Sequence, residues 1–361
     1  MPLATTLLIF LGTYTPAGGD SRGIYSVRLD TVTGTLSHPV IVAETPNPTF
    51  LAWHPDGRTL YALSESGLVS NRPGGALAAF RYDTATGTLT PLNTEPTGGI
   101  SLAHVGIDAT GRTAAVISYH GSQVASFPLA ADGKPGALAS LITHTGQFGP
   151  NTKRQDKPHP HSVTFSPDNR FVYVCDLGLD RIFQYRLDPV TAQLTPAGET
   201  ATQPGAGPRH SKFSTDGKFF YVINELDSTV AVYSAEAASG ALKPVQTIST
   251  LPPGFTGENI CAEIRLSPDG RFVYGSNRGH DSLAVFSRDQ VTGRLAPVEI
   301  VSSGGKHPRN FNLSPDGRWL ICANRDSDNI VVFKVDAATG RLSPTGQPAR
   351  VPQAVCVLFA P

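Results

Sequence analysis

The chain has 361 residues, and its 29 Lys and Arg balance its 29 Asp and Glu, so the formal net charge is zero. A balanced charge argues against a protein that binds nucleic acid or another polyanion through bulk charge. No apolar run is long enough to span a bilayer, and 36 glycines with 30 prolines indicate many turns and therefore an all-β protein. We expect no nucleic-acid partner and no membrane partner.

The first predicted element is the apolar run Leu7–Leu11, LLIFL. We interpret it as a strand, because it is too short for the apolar region of a secretory signal and no basic residues precede it. The four cysteines lie in apolar, strand-like runs without CxxC spacing: Cys175, Cys261, Cys322 and Cys356. We expect buried free thiols in a reducing cytoplasm, not disulfides or zinc ligands. The sequence leaves the oligomeric state open.

A first repeat, T-x-T-G-x-L, occurs in clear form from Thr31, Thr84, Gln290 and Ala337, and in weaker form from Gly133, Pro189 and Ala237. Its glycine position falls at residues 34, 87, 136, 192, 240, 293 and 340, with Ala192 as the one exception. A spacing of roughly 50 residues between such turns is typical of the blade of a β-propeller.

A second repeat, S-P-D-G-R and its variants, occurs six times, from His54, Asp108, Ser166, Ser214, Ser267 and Ser314. Each copy joins an alternating strand to a β-branched and aromatic one, which predicts a hairpin. The seventh copy is absent, but the C-terminal VPQAVCVLFAP resembles the strand before this turn and the N-terminal TLLIFLGTY the strand after it. The sequence predicts a single seven-bladed β-propeller domain over residues 1–361. We expect the C-terminal strand to close the ring by joining the N-terminal strands in one blade.

Aligning the blades on the basic residue of the second repeat gives two columns of equivalent positions. The column that begins the innermost strands contains Thr49, Ala103, His161, Arg209, Ala262 and Arg309. The column that ends the second strands contains Glu65, Tyr119, Leu177, Glu225, Arg278 and Arg325. Both columns should reach the same mouth of the central channel, because the outer ends of a hairpin lie side by side. So many cations at one opening of a neutral protein predict an anion site, although polar side chains at strand starts can also simply satisfy backbone groups.

Other histidines and charged residues lie near these columns. His159 lies two residues before His161 and can join the site, whereas His104 and His210 should point between the sheets. The loop Thr143–Pro158 carries Lys153, Arg154 and Lys157; it is either a cover over the mouth or a solvated surface loop. We expect no metal, because Glu65, Glu225 and Glu263 come from separate blades with arginines nearby.

Several stretches resemble the lactonase family of seven-bladed propellers, which includes the cycloisomerase-type 6-phosphogluconolactonases and the fungal carboxy-muconate cyclases. These stretches are LGTYT from Leu11, GPNTKRQDKPHPHSV from Gly149, GPRH from Gly207, NEL from Asn224, GFTGENICAEIRLSPDGRFVYGSNRGHDSLAVF from Gly254 and HPRNFNLSPDG from His307. The resemblance implies a catalytic set of His161, Arg209, Glu225 and Arg278, and no cofactor. We predict a substrate-binding set of His159, Arg309, Asn310, Arg325 and Glu263. Arg325 is a cation that the family pattern does not include.

The predicted function is hydrolysis of an anionic sugar lactone, most simply 6-phosphogluconolactone. His161 would deprotonate the attacking water, and Arg209 with Arg278 would hold the oxyanion or the phosphate. Glu225 would either orient an arginine or return the proton to the leaving alkoxide. One alternative is cyclisation of a carboxylated muconate, which needs the same anion clamp. Another is a non-catalytic propeller that acts as an interaction scaffold, although the sequence lacks the blade signatures of WD repeats.

Overall fold

The computed structural model describes residues 6–65, 68–69 and 72–361, and this part of the chain forms seven four-stranded antiparallel sheets in a ring. The predicted all-β propeller with seven blades is therefore confirmed. Residues 1–5, which the interpretation of the N-terminus included, lie outside the described residues.

We number the blades from the one that contains both termini and give the strands of each from the channel outward. Blade 1 contains Ala354–Phe359, Thr6–Thr13, Gly23–Asp30 and Val40–Glu44. Blade 2 contains Pro48–Trp53, Thr59–Ser64, Ala76–Tyr82 and Leu89–Pro96. Blade 3 contains Leu102–Ile107, Thr113–Ser118, Gln123–Pro128 and Ser140–Thr143. Blade 4 contains Pro160–Phe165, Phe171–Asp176, Arg181–Leu187 and Leu194–Ala201.

The remaining blades repeat this pattern. Blade 5 contains Pro208–Phe213, Phe219–Asn224, Thr229–Ala235 and Leu242–Ser249. Blade 6 contains Ile260–Leu266, Phe272–Arg278, Ser282–Arg288 and Leu295–Ser302. Blade 7 contains Pro308–Leu313, Trp319–Asn324, Asn329–Val335 and Leu342–Arg350. A two-residue hairpin, Leu68–Val69 with Arg72–Pro73, and a 3₁₀ turn, Arg325–Ser327, complete the described elements.

The two sequence repeats are two kinds of turn. In five copies of the first, an aspartate before the repeat accepts two backbone N–H groups, as Asp289 Oδ1 does from Val291 and Thr292, each at 2.8 Å. The chain then needs a left-handed residue, which is Gly293 in this copy and Ala192 in blade 4. In blade 3 the left-handed residue is Gly133, so the repeat alignment at Gly136 was wrong by three residues.

The ring closes as predicted. The C-terminal strand Ala354–Phe359 pairs antiparallel with Thr6–Thr13, with Leu11 opposite Val357 and Ile9 opposite Phe359. Val357 and Phe359 are buried against blade 7 in an apolar layer that includes Trp319. Closure therefore covers a strand edge and completes the apolar packing between blades 1 and 7.

Every inner strand contains a β-bulge near its start. In blade 4, Pro160 pairs with Asp176 and Ser162 with Cys175, so His161 is the extra residue without a partner. The register shifts in the same place in each of the other six blades. A bulge places two residues opposite one and interrupts the alternation of side chains. Consecutive residues at the start of an inner strand can therefore both face the channel.

The apolar core lies between neighbouring blades, and the cysteines belong to it. All four are free and buried, as predicted. Burial raises the pKa of Cys175 to about 11 and that of Cys261 to about 12, so both are neutral thiols at pH 7. In the described part of the chain, no helix has the length and apolar character needed to cross a membrane.

We predict that deleting Val351–Pro361 prevents correct folding, because it exposes the edge of Thr6–Thr13 and the apolar face that Val357 and Phe359 cover. The truncated protein should be insoluble or should lose its cooperative thermal transition in circular dichroism. Deleting only the exposed Pro361 is the matched control and should change neither property. A soluble truncation with the parental melting temperature would disprove this closure.

Candidate active site

One mouth of the channel holds a polar cavity of about 200 Å³ to which all seven blades and the loop after blade 3 contribute. Its charged and titratable lining residues are Tyr14, Glu65, Tyr119, His120, Arg154, His161, Glu225, Arg278 and Arg309. A larger outer cavity of about 640 Å³ shares Arg154 and Arg278 with it and adds Lys306 and His307. A small cavity of about 20 Å³ shares Glu65 and Arg309 and also includes Arg209. The two sequence columns therefore do reach the same mouth.

Glu225 is a buried carboxylate that contacts three arginines. Its Oε2 lies 2.8 Å from Nε of Arg209 and 2.7 Å from an Nη of Arg278, and its Oε1 pairs with Arg154. Burial would raise the pKa of Glu225, but Arg278, Arg209 and Arg154 outweigh it and hold the pKa well below its usual value. Glu225 therefore stays ionised at neutral pH. This favours its predicted role in orienting arginines and argues against its predicted role as a proton donor.

The arginines next to Glu225 are held in place on their other sides as well. Arg209 donates to the carbonyl oxygen of Ala262 at 2.5 Å, and Arg278 donates to that of Cys261 at 2.6 Å. Burial lowers the pKa of Arg209 to about 9, so this side chain is still charged at pH 7. The Nε of Arg278 is buried and has no hydrogen-bond partner among the described residues. It is a donor available to a bound oxygen atom.

His161 is 5% exposed, and its ring packs edge-on against Tyr119 and His210, each at a centroid distance of 5.2 Å. Its Nδ1 is buried without a hydrogen-bond partner in the described structure. Burial, and after it the charge of Arg209, lowers the pKa of His161 well below 6.5. His161 is therefore neutral at pH 7 and is available as a base.

Arg309 lines the cavity next to Tyr14. Its Nη2 donates to the hydroxyl of Tyr14 at 3.1 Å, and the guanidinium lies over the Tyr14 ring at 5.6 Å. No carboxylate of the described residues lies within ion-pair distance of it, unlike Arg154, Arg209 and Arg278. Arg309 is thus well placed to accept an anionic group from solution.

The loop before His159 places Arg154 in the site. Asp176 connects both ends of this loop, because Oδ2 contacts Nδ1 of His144 at 2.7 Å and Oδ1 accepts the backbone N–H of His159 at 2.8 Å. Within the loop, Gln155 donates to the carbonyl oxygen of Leu177 at 2.9 Å. Of the three basic residues of this loop, Arg154 lines the cavity, Lys153 is exposed, and Lys157 donates to the carbonyl oxygen of His120 at 2.9 Å.

Two predicted binding residues lie away from the cavity. His159 stacks on the far side of Tyr119 at 4.3 Å, and its Nε2 contacts Asp156 at 2.8 Å. Arg325 begins the 3₁₀ turn Arg325–Ser327, and its Nε contacts Asp326 at 2.6 Å. Neither side chain lines the cavity, because a neighbouring carboxylate holds each one elsewhere.

Glu263 and Asn310 are also absent from the lining of the 200 Å³ cavity. The carboxylate of Glu263 accepts from Nδ2 of Asn310 and from the backbone N–H of Ile264 and lies 3.2 Å from Nδ1 of His210. The Oδ1 of Asn310 accepts the backbone N–H of Val357 at 2.9 Å. These side chains interact with one another, so the structure assigns them to a layer in the channel below the mouth.

The prediction that His104 and His210 point between the sheets was wrong. Their rings contact each other at 5.2 Å, and the ring of Phe50, three blades from that of His210, lies 5.9 Å from it. Contacts between such distant blades are made across the channel. The physical reason is the bulge, which turns the residue after the extra one toward the channel as well.

Tyr14, Tyr119 and Glu65 line the cavity but were not among the predicted site residues. Tyr119 and Glu65 belong to the second column, so their position was a usable signal. Tyr14 follows the second strand of blade 1, Thr6–Thr13, and this blade lacks the repeat used for alignment. Across the described ranges, no group of three or more His, Cys, Asp or Glu side chains is arranged to hold a metal ion.

Comparisons with known proteins agree with this architecture. A family model described as "Lactonase, 7-bladed beta-propeller" matches residues 8–359. The chain is 38% identical over 307 residues to a 6-phosphogluconolactonase of Bacillus subtilis, covering 85% of each chain. It is 34% identical over 308 residues to a 6-phosphogluconolactonase of Formosa agariphila, covering 84% of this chain and 85% of the relative. The structure of a periplasmic gluconolactonase of Pseudomonas aeruginosa superposes with a TM-score of 0.92 at 34% identity and 99% coverage of both chains.

We predict that Glu225→Gln destabilises the protein by about 3–5 kcal/mol, because it leaves the buried Arg209 and Arg278 without their counter-charge. The pKa of Glu225 is lower in the folded state than its ordinary value of 4.5. This stabilisation is therefore present above about pH 4.5 and is lost as the pH falls through the folded-state pKa. Chemical denaturation at pH 7 and at acidic pH measures both effects.

The matched control is Glu199→Gln, since Glu199 forms a half-exposed pair with Arg181 at 3.3 Å. A surface pair of this kind contributes about 0–1 kcal/mol. Equal destabilisation by the two variants would contradict the role given to Glu225.

Proposed function

Because the chain belongs to the lactonase family of seven-bladed β-propellers, we propose that it hydrolyses an anionic sugar lactone, with 6-phosphogluconolactone as the substrate. Two relatives named 6-phosphogluconolactonase support this choice of substrate.

The observation that carries the proposal is the set of unpaired polar atoms in one cavity. Nδ1 of His161, Nε of Arg278 and Oε2 of Glu65 are all buried, and none has a hydrogen-bond partner among the described residues. Buried polar groups normally have a hydrogen-bond partner, so three atoms without one around a small cavity indicate a bound molecule that supplies the missing partners. They comprise a base, a cationic donor and a carboxyl group, which are the groups that ester hydrolysis uses.

In this proposal His161 removes a proton from the water that attacks the lactone carbonyl carbon. The lowered pKa of His161 keeps the ring neutral at pH 7, which the base must be. Arg278 donates from Nε to the carbonyl oxygen as it becomes an oxyanion. Glu225 keeps the guanidinium of Arg278 in position, and Arg209 supplies a further positive charge behind it.

The charges of the cavity favour an anionic substrate. Its wall carries the three arginines Arg154, Arg278 and Arg309 against the two carboxylates Glu65 and Glu225. We place the lactone ring in the 200 Å³ cavity and the phosphate where this cavity meets the outer one, because Arg154 and Arg278 line both. The outer cavity is also lined by Lys306 and by the acidic residues Glu258, Asp281 and Asp326, of which Asp281 already accepts from the backbone N–H groups of Gly279 and His307.

The surface gives little support to the scaffold alternative. Among the described residues, the exposed large apolar side chains include one aromatic residue, Phe148, and seven aliphatic ones: Val32, Val40, Ile100, Leu138, Leu141, Val190 and Val291. Interaction surfaces are typically contiguous and enriched in aromatic residues. The alternative of muconate cyclisation needs the same anion-binding arginines, so a comparison of substrates must distinguish it from lactone hydrolysis.

As part of the same proposal, residues 1–361 act as one domain in the cytoplasm, where the four buried free thiols stay reduced. One relative of known structure is described as periplasmic. Recovery of the protein in a periplasmic fraction would overturn this location without affecting the proposed reaction.

We predict that 6-phosphogluconolactone is hydrolysed faster than gluconolactone at low substrate concentration, and that salt reduces the difference. The reason is the excess of arginines at the mouth, whose attraction to the phosphate is partly screened by ions. Acid release above the spontaneous rate measures kcat/KM for both lactones, with a carboxylated muconate in parallel. Equal and salt-independent turnover would exclude phosphate recognition, and turnover of the muconate alone would support the cyclase alternative.

We predict that His161→Asn lowers kcat by about 10²- to 10⁴-fold, the range for loss of a general base, with little effect on stability. Because the pKa of His161 is lowered, wild-type kcat/KM should fall on the acid side only well below pH 6.5. A pH–rate profile measures this decrease at acidic pH, which His161→Asn should not show. His38→Asn changes an exposed histidine and serves as the control. Normal turnover by His161→Asn would refute its role as the base.

A further inference from the structure

The proposed hydrolysis needs an acid as well as a base. When the tetrahedral intermediate collapses, the ring oxygen of the lactone leaves as an alkoxide, which is a poor leaving group unless it receives a proton. Glu225 cannot supply this proton, because three arginines keep it ionised. Another group in the cavity must therefore supply it.

We propose that Glu65 is the proton donor to the ring oxygen of the substrate. This inference rests on the proposed lactonase function and adds a catalytic residue to it.

The position of Glu65 fits this role. It directly follows the second strand of blade 2, where its N–H donates to the carbonyl oxygen of Asn47 at 3.1 Å and its own carbonyl accepts from Leu102 at 3.4 Å. Its side chain lines the same cavity as His161, and its Oε2 is one of the three buried atoms there that have no hydrogen-bond partner among the described residues.

The acid and the base line one cavity of about 200 Å³ from different blades. Glu65 belongs to blade 2 and His161 to blade 4, and the wall residues from blade 3 are Ser101, Leu102, Ala103, Tyr119 and His120. Ala103 holds the bulge position that His161 holds in blade 4. A sugar ring placed there can have its carbonyl carbon next to His161 and its ring oxygen next to Glu65.

The surroundings favour a protonated carboxyl group at this position. Burial raises the pKa of Glu65, and the charge of Arg309 with the hydroxyls of Tyr14 and Thr49 opposes the rise without cancelling it. Across the cavity Glu65 faces the titratable or charged groups Tyr119, His120, Arg154, His161, Glu225 and Arg278. Below it lie Arg209 and the neutral His210. Glu65 and Glu225 thus have opposite pKa shifts in one cavity, which is the pattern expected when two carboxyl groups have different tasks.

The reaction balances with these groups alone. A bond forms between the water oxygen and the carbonyl carbon, one water proton moves to His161, and the carbonyl electron pair moves onto the oxygen next to Arg278. The carbonyl then re-forms, the bond between this carbon and the ring oxygen breaks, and the ring oxygen takes the proton of Glu65. The proton on His161 then passes through solvent to the ionised Glu65, which restores both groups, and the new carboxylic acid loses its proton to solvent at neutral pH. The net change is lactone plus water to hydroxy carboxylate plus one proton.

The test is the pH dependence of kcat for 6-phosphogluconolactone, measured as acid release above the spontaneous rate. In the wild type, kcat should fall as the pH rises through the pKa of Glu65, because the ionised carboxylate cannot donate a proton. Glu65→Gln should lower kcat by about 10²- to 10⁴-fold and abolish this alkaline limb. It should change KM by no more than a few-fold and leave the acid limb in place. Glu65→Asp should retain the alkaline limb at a reduced rate, and it keeps the test decisive if the glutamine variant does not fold.

The matched control is Glu95→Gln, which changes a carboxylate on the outermost strand of the same blade and should leave both limbs unchanged. An unchanged alkaline limb in Glu65→Gln would overturn the inference, and so would a raised KM with normal kcat, which would show that Glu65 only binds a sugar hydroxyl. A wild-type protein with no lactonase activity would instead refute the proposed function itself.

Discussion

The site depends on one backbone feature, the β-bulge near the start of each inner strand. His161, Arg209 and Arg309 are each the extra residue of such a bulge, between a proline that pairs with the second strand and a residue that pairs one step further on. A regular strand would direct every second side chain away from the channel. The bulge instead allows each blade to present a residue at the mouth without disturbing the apolar faces that hold neighbouring blades together. The chemistry of the mouth can therefore vary between blades while the packing stays constant.

A second constraint is the concentration of positive charge that this geometry creates. Arg154, Arg209 and Arg278 converge on one point, and only the buried Glu225 lets them do so. Removing charges from water is costly unless they are paired, so the cluster is stable only as a unit. The same pairing fixes the direction of the guanidiniums before substrate binds, which is the preorganisation that electrostatic catalysis requires. Arg309 lies outside this cluster and donates to the hydroxyl of Tyr14 instead.

Much of this arrangement could be predicted from the sequence, because the repeats are regular. The two turn motifs defined the blades, the missing copy located the closure, and the columns selected His161, Arg209, Glu225 and Arg278 as neighbours. The errors have local causes that periodicity does not reveal. His104 and His210 face the channel because of the bulge, and Arg325 turns away because it starts a 3₁₀ turn next to Asp326. Glu263 and Asn310 were predicted to bind the substrate, yet their side chains already make hydrogen bonds to each other and to neighbouring residues. Only the side-chain contacts show this.

The seven blades are similar in backbone and different at their bulges, and this difference creates the cavity. Where blades 4, 5 and 7 carry His161, Arg209 and Arg309, blades 3 and 6 carry Ala103 and Ala262. The two alanines also take part in the site, since Ala103 lines the cavity and the carbonyl oxygen of Ala262 accepts from Arg209. A ring of seven identical blades would place seven like charges or seven small residues at the mouth. The divergence of the repeats at this one position therefore converts a symmetric scaffold into an asymmetric site, which has a base on one side and arginines on the other.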